Sequence, residues 1–151
     1  MTEQHNKKEA MEFLTSILSS ACQFGASDIH IRSGHQIMMR LDGRVRQVKG
    51  SPEMTDDMIQ RLIFPLVEEY HLKVFESEKQ VDFALTDNVE NRVRVNLYRQ
   101  MGRLAMVMRV INNTIPSPSE LGLPEQVRII SKMRQGLVIF SGATGSGKST
   151  S

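Results

Sequence analysis

The chain has a single cysteine, Cys22, so it can form no internal disulfide. It also lacks an apolar run long enough to cross a bilayer and an N-terminal apolar segment of the signal-peptide kind. The net charge of +2 is too small to imply nucleic-acid binding by itself, although arginines crowd locally between Arg92 and Arg109. These features set the expectation of a cytoplasmic protein with no transmembrane segment and no nucleic-acid partner. No internal repeat or low-complexity segment stands out. With 40% apolar and 24% charged residues, a packed core is expected rather than disorder. A length of 151 residues suits one ordinary domain, or a small domain plus the first part of another, and the second division is adopted.

Hydrophobic spacing predicts the elements. Ala10, Met11, Leu14, Ile17, Leu18, Ala21 and Cys22 recur every three or four residues, the mark of an amphipathic helix, and Gly25 is a suitable stop. Ile29 and Ile31 alternate with Asp28, His30 and Arg32, as in a half-buried strand. Residues 37–48 read as two strands joined through Asp42-Gly43, a favoured two-residue turn. Thr55 can cap a helix whose first turn carries Asp56 and Asp57, and Pro65 should kink or split that helix. Residues 81–86, 92–98 and 103–111 read as an antiparallel meander with breaks at Asp87-Asn88 and Met101-Gly102.

Pro116, Pro118, Gly122 and Pro124 then rule out a regular helix or central strand, so residues 112–124 are expected to be a linker. The expected division is a first domain over 1–111, the linker, and the start of a second domain over 125–151. In that second part residues 125–134 fit a short helix, and the apolar run 137–140 fits a buried parallel strand.

That run leads into Gly142, Ala143, Thr144, Gly145, Ser146, Gly147, Lys148 and Ser149, which satisfy the pattern G-x-x-x-x-G-K-[ST] in full. Glycines let consecutive backbone amides converge on phosphate. Lys148 neutralises charge on the β and γ groups, the Ser149 hydroxyl ligates Mg²⁺, and Thr150 follows in the same cradle. ATP and Mg²⁺ are the ligands this loop implies. Such a loop normally opens a helix whose N-terminal amides complete the anion site, and only Thr150 and Ser151 follow Ser149 in the sequence.

Two-residue alternation places Arg92 and Arg94 on one face of their strand, and Arg103, Ala105, Val107 and Arg109 on one face of the next. If Met101-Gly102 is a two-residue turn, Arg94 lies directly opposite Arg109. Like charges so placed call for carboxylates or a shared anion. A three-residue loop with a glycine bulge would instead shift the register by one, and a merely solvated strand face is the plain alternative. Asp28, His30 and Arg32 also share a face, but no second histidine sits at ligand spacing, so His30 reads as a structural or inter-subunit contact. Cys22 reads as simple core, and Met38, Met39, Met106 and Met108 as deformable core filling. Glu68, Glu69, Glu76 and Glu78 read as solvated helix surface.

Four segments carry a wider resemblance: Ala26-Ser27-Asp28-Ile29-His30-Ile31, Arg40-Leu41-Asp42-Gly43, Arg94-Val95-Asn96 through Met108-Arg109-Val110, and Leu121-Gly122-Leu123-Pro124 leading to Gly136-Leu137-Val138. With the phosphate loop, they resemble the type II/IV secretion and pilus ATPase superfamily, and within it the PilT-like type IV pilus retraction ATPases. The resemblance implies an α+β arrangement: a PAS-like N-terminal domain of antiparallel sheet and helices, a linker, and the first strand and phosphate loop of a RecA-like α/β domain. It further implies a homohexamer peripheral to the inner membrane, beneath a pilus platform protein, with Arg94 and Arg109 reaching the terminal phosphate of ATP. Only one short helix precedes the Ser-Asp-Ile-His segment, which favours retraction over pilus assembly or type II secretion motors. Ala143 stands where the family usually has proline. The family's Walker B carboxylate, catalytic glutamate and aspartate- and histidine-containing boxes would follow Ser151, so the sequence reads as a piece of a longer ATPase. Alone it is expected to act as a non-catalytic binding and oligomerisation module.

Overall fold

The computed structural model describes residues 2–111 and 117–143. The chain divides into two compact units, Met1–Asn113 and Thr114–Ser151.

The first unit is α+β. Helix α1 (Thr2–Gln23) starts well before the apolar stripe that predicted it and buries Ala10, Leu14, Ile17, Leu18 and Ala21. It ends in a Schellman turn, in which Gly25 at φ +65 lets Ala26 N–H donate to the Ala21 carbonyl at 2.8 Å and Gly25 N–H to the Cys22 carbonyl at 3.1 Å. Helix α2 (Asp56–Ile63) is capped by the Thr55 hydroxyl, which accepts from Met58 N–H at 3.3 Å. Pro65 splits the helical segment as expected: a 3-10 turn (Phe64–Leu66) intervenes before α3 (Glu69–Glu78).

The main sheet has six antiparallel strands in the order β4-β3-β1-β8-β7-β6: β1 (Asp28–Arg32), β3 (Met38–Leu41), β4 (Arg44–Gln47), β6 (Gln80–Thr86), β7 (Arg92–Gln100) and β8 (Arg103–Ile111). A small second sheet pairs β2 (His35–Gln36) with β5 (Glu53–Met54). Two-residue strands leave no periodicity to read, which is why the sequence does not announce them.

The helices cover one sheet face. Ile29, Ile31, Met39, Val93, Val95, Leu97, Leu104, Met106 and Met108 project into this core beside Leu14, Leu18, Ile59 and Phe75. Leu14 is 1% exposed, and its truncation to alanine costs about 2–5 kcal/mol through lost burial and the residual cavity. Asp56 ties α2 to the sheet by accepting from Leu104 N–H at 3.1 Å. A hydrogen bond from Ser33 is the main reason its carboxyl ionises below its ordinary value; the Leu104 amide and the charges of Arg99 and Arg103 add to it against the opposing effect of burial.

Two expectations for this unit are corrected. Cys22 is exposed rather than core, because the last turn of α1 runs out toward the β6–β7 loop, where its Sγ lies 3.8 Å from Asn91 Oδ1. Met38 alternates onto the face opposite Met39 and is only half-buried, whereas Met39, Met106 and Met108 do fill the core. Glu68, Glu69, Glu76 and Glu78 are exposed, as their solvated-surface reading expects.

In the second unit Ser117 and Glu120 close a turn on each other, with Ser117 N–H donating to Glu120 Oε2 at 2.7 Å. Helix α4 (Glu125–Ile130) is shorter than the span expected over 125–134. The run 137–140 forms no strand and is exposed, with Leu137 at 84% and Ile139 at 77%. A buried parallel strand needs a neighbouring strand and covering helices, and this unit supplies no other strand among its described residues.

Candidate functional site

The sheet face away from the helices is polar, and its chemistry follows from register. Met101 and Gly102 take φ +52 and +80, a two-residue turn whose twist matches the flanking strands. That turn sets Gln100 against Arg103 and, counting back along the hairpin, Arg94 against Arg109. On the other side of β8, Arg109 is paired with Asp28, and across β1 Asp28 is paired with Arg40. One line across four strands therefore reads Arg40, Asp28, Arg109, Arg94.

The carboxylates demanded by the opposed arginines come from the strands on either side. Asp28 Oδ1 accepts from Arg109 Nε at 3.1 Å, and Oδ2 lies 3.2 Å from Arg40 Nε and accepts from Ser27 Oγ at 2.8 Å. Asp82, on β6, holds Arg94 more loosely, at 3.8 Å from Nε. Burial works to raise the Asp28 pKa, but the hydrogen bonds from Ser27 and Arg109 and the charges of Arg109 and Arg40 outweigh it. The carboxyl thus ionises below its ordinary value and is charged at neutral pH. Its side chain is 10% exposed, against 73% for Arg109 and 68% for Arg94.

Arg94, Arg109, Asp82, Asn96 and Val107 line a shallow cavity of about 310 Å³. Two guanidinium groups on one concave surface suit an anion, and each offers planar donors that match carboxylate or phosphate oxygens. His30 lies on the same face, paired with Val107, and its buried Nε2 has no hydrogen-bond partner. Burial, followed by the Arg40 charge, pushes its pKa down against the pull of Asp28, so the ring is neutral at pH 7. No cluster of His, Cys, Asp and Glu able to hold a metal occurs among the described residues.

The structure thus brings together Arg94 and Arg109, as the hairpin register predicts. Sequence reasoning did not identify Asp28, Arg40, Asp82 and Asn96 as their neighbours. Asp28 reaches Arg109 only because β1 pairs with β8, strands separated by most of the domain. Of the phosphate loop, Gly142 and Ala143 are described and exposed, whereas Thr144, Gly145, Ser146, Gly147, Lys148, Ser149 and Thr150 lie outside the described residues.

The family described as type II/IV secretion system protein matches residues 3–151. The chain belongs to this family. The type IV pilus retraction ATPase PilT of Pseudomonas aeruginosa is 34% identical over 137 residues, covering 91% of this chain and 40% of that protein. The type IV pilus ATPase PilU of the same organism is 34% identical over 141 residues, covering 93% and 36%. Among solved structures, the pilus retraction motor PilT with bound ADP superposes with a TM-score of 0.78 at 35% identity, covering 89% of this chain and 39% of that one. The Legionella pneumophila ATPase DotB gives 0.70 at 28% identity, covering 91% and 39%. The chain therefore spans about two fifths of the length of these relatives. The resemblance read from its motifs and the α+β fold both agree with these matches. No helix among the described residues is long and apolar enough to cross a membrane.

Proposed function

We propose that this chain is the sensing and nucleotide-docking part of an ATP-driven motor that powers type IV pilus retraction. Its N-terminal domain, over 1–111, presents Arg94 and Arg109 to the terminal phosphate. The loop from Gly142 to Thr150 cradles the remainder, with Lys148 on the β and γ phosphates and Ser149 toward Mg²⁺. Mg²⁺ held through the Ser149 hydroxyl would supply charge neutralisation for the phosphates. The observation that carries the reading is the opposed arginine pair lining one cavity, in a family whose named relatives are ATPases and include one solved with ADP.

The arginine pair fits a phosphate by the chemistry of its donors. Both project from adjacent strands at directly opposed positions, so two positive charges converge where negative charge develops on the transferring group. Rigid-body movement coupled to hydrolysis and product release is the step by which such a motor does work. A homohexamer working against an inner-membrane platform protein is the assembly that fits this motor.

The test is ATP turnover by the 151-residue chain and by the same sequence continued into a complete catalytic domain. Magnesium-dependent turnover is expected only in the longer protein, and it should vanish in Lys148→Ala. Turnover by the 151 residues above that control, or none by the longer protein, contradicts the proposal.

A further inference from the structure

We propose that Asp28 is the positioning residue for the anion site, fixing Arg109 by its Nε edge so that the rest of the guanidinium faces the cavity shared with Arg94. This rests on the reading of Arg94 and Arg109 as the phosphate-contacting pair and goes beyond it by assigning a role to the conspicuous Ser-Asp-Ile-His segment.

The geometry is specific. Asp28 is nearly buried, while the arginine it holds is mostly exposed. An exposed arginine on a strand would ordinarily sample many rotamers, losing that freedom only on binding. The Asp28 carboxylate removes part of that cost in advance by engaging Nε at 3.1 Å. A guanidinium has five N–H donors, so one bond through Nε leaves the Nη end available to an anion arriving from the cavity. Asp28 is itself fixed from two other sides, by Ser27 Oγ at 2.8 Å and Arg40 Nε at 3.2 Å. Arg40 thus stands behind Asp28 as Asp28 stands behind Arg109.

Charge and position act in opposite directions at this site, and that distinguishes a positioning role from a purely electrostatic one. Removing the Asp28 charge makes the cavity more positive, which strengthens attraction for phosphate. It also frees Arg109, and a displacement of ~1 Å at a reacting group can cost about 100-fold in rate. Asp28→Asn should therefore leave ATP affinity unchanged or tighter while kcat falls by about tenfold to 100-fold. Asp28→Glu, which keeps the charge on a longer stem, should recover part of that loss.

Two measurements decide it. In the 151-residue chain labelled with ¹⁵N, the Arg109 Nε–H signal, assigned by its loss in Arg109→Lys, should exchange with solvent at least tenfold more slowly than that of exposed Arg44, and as fast as Arg44 in Asp28→Asn. Equal exchange of Arg109 and Arg44 in the unaltered chain overturns the proposal without need of any variant that disturbs folding. In the sequence continued into a complete catalytic domain, kcat and ATP Kd are compared for Asp28→Asn, Asp28→Glu, Arg94→Ala and Arg109→Ala. Loss of kcat with retained affinity in Asp28→Asn, partly restored in Asp28→Glu, supports the assignment. If the arginine variants lose kcat and Asp28→Asn does not, Asp28 has no positioning role while the arginine reading stands. If neither arginine variant loses kcat, the underlying reading fails and the proposal with it.

Discussion

Arg94 on β7 and Arg109 on β8 face each other directly across a hairpin, two like charges in register on the open face of the sheet. Such a pairing is unfavourable unless something compensates it. Asp28 at 3.1 Å from Arg109 and Asp82 at 3.8 Å from Arg94 supply part of that compensation from the adjoining strands. The arrangement nevertheless keeps more positive than negative charge around one shallow cavity, a bias that favours an anion.

Stability should depend on pH through Asp28. Its pKa in the folded chain lies below the ordinary 3.8, so its contribution is complete above that value and is lost as pH falls through it toward the folded pKa. Asp28→Asn lacks this titration. Thermal midpoints of the two proteins should therefore differ most near neutral pH and draw together as the pH falls below 3.8 through the folded pKa, the other carboxylates titrating alike in both. A gap that stays constant across this range would show that Asp28 contributes through packing alone.

The Thr55 cap should be measurable. Its hydroxyl accepts from Met58 N–H at the start of α2, and Thr55→Ala should cost about 1 kcal/mol in chemical denaturation. The effect should be absent from the denaturant slope, since neither the fold nor the exposed area changes. Unchanged stability would mean that water satisfies this helix start equally well.

Cys22 should react with a thiol reagent in the native protein. The side chain is exposed at the end of α1, so one equivalent should be modified under native conditions without unfolding. Reaction only after addition of denaturant would restore the core reading.

Local signals made much of the fold legible. The spacing of Leu14, Ile17, Leu18 and Ala21 gave α1, alternation gave the meander, and Thr55 and Pro65 marked where the helical segment starts and splits. The pair Met101-Gly102 mattered most, because a two-residue turn fixes every opposition along the hairpin, including Arg94 against Arg109. What local pattern does not encode is which distant strands become neighbours. Asp28 and Arg109 are 81 residues apart in sequence, and nothing around either announces the other. Cys22 failed for a related reason: it continues the apolar stripe, but whether the last turn of a helix still overlies the sheet depends on where the sheet ends. Residues 137–140 have the composition of a buried strand, yet a strand forms only where another can pair with it.

The central claim is that Arg94 and Arg109 act on the transferring phosphate rather than on binding. The direct measurement is kcat and ATP Kd for Arg94→Ala, Arg109→Ala and Lys148→Ala in the sequence continued into a complete catalytic domain. A charge aimed at the γ-phosphate stabilises the transition state more than the ground state, so each arginine variant should bind ATP nearly as well as the parent while kcat falls, by ~10³-fold if the arginines act as arginine fingers do in related phosphoryl transfer. Lys148→Ala should instead weaken binding outright. Parental kcat in both arginine variants would place them on a merely solvated strand face and contradict the account.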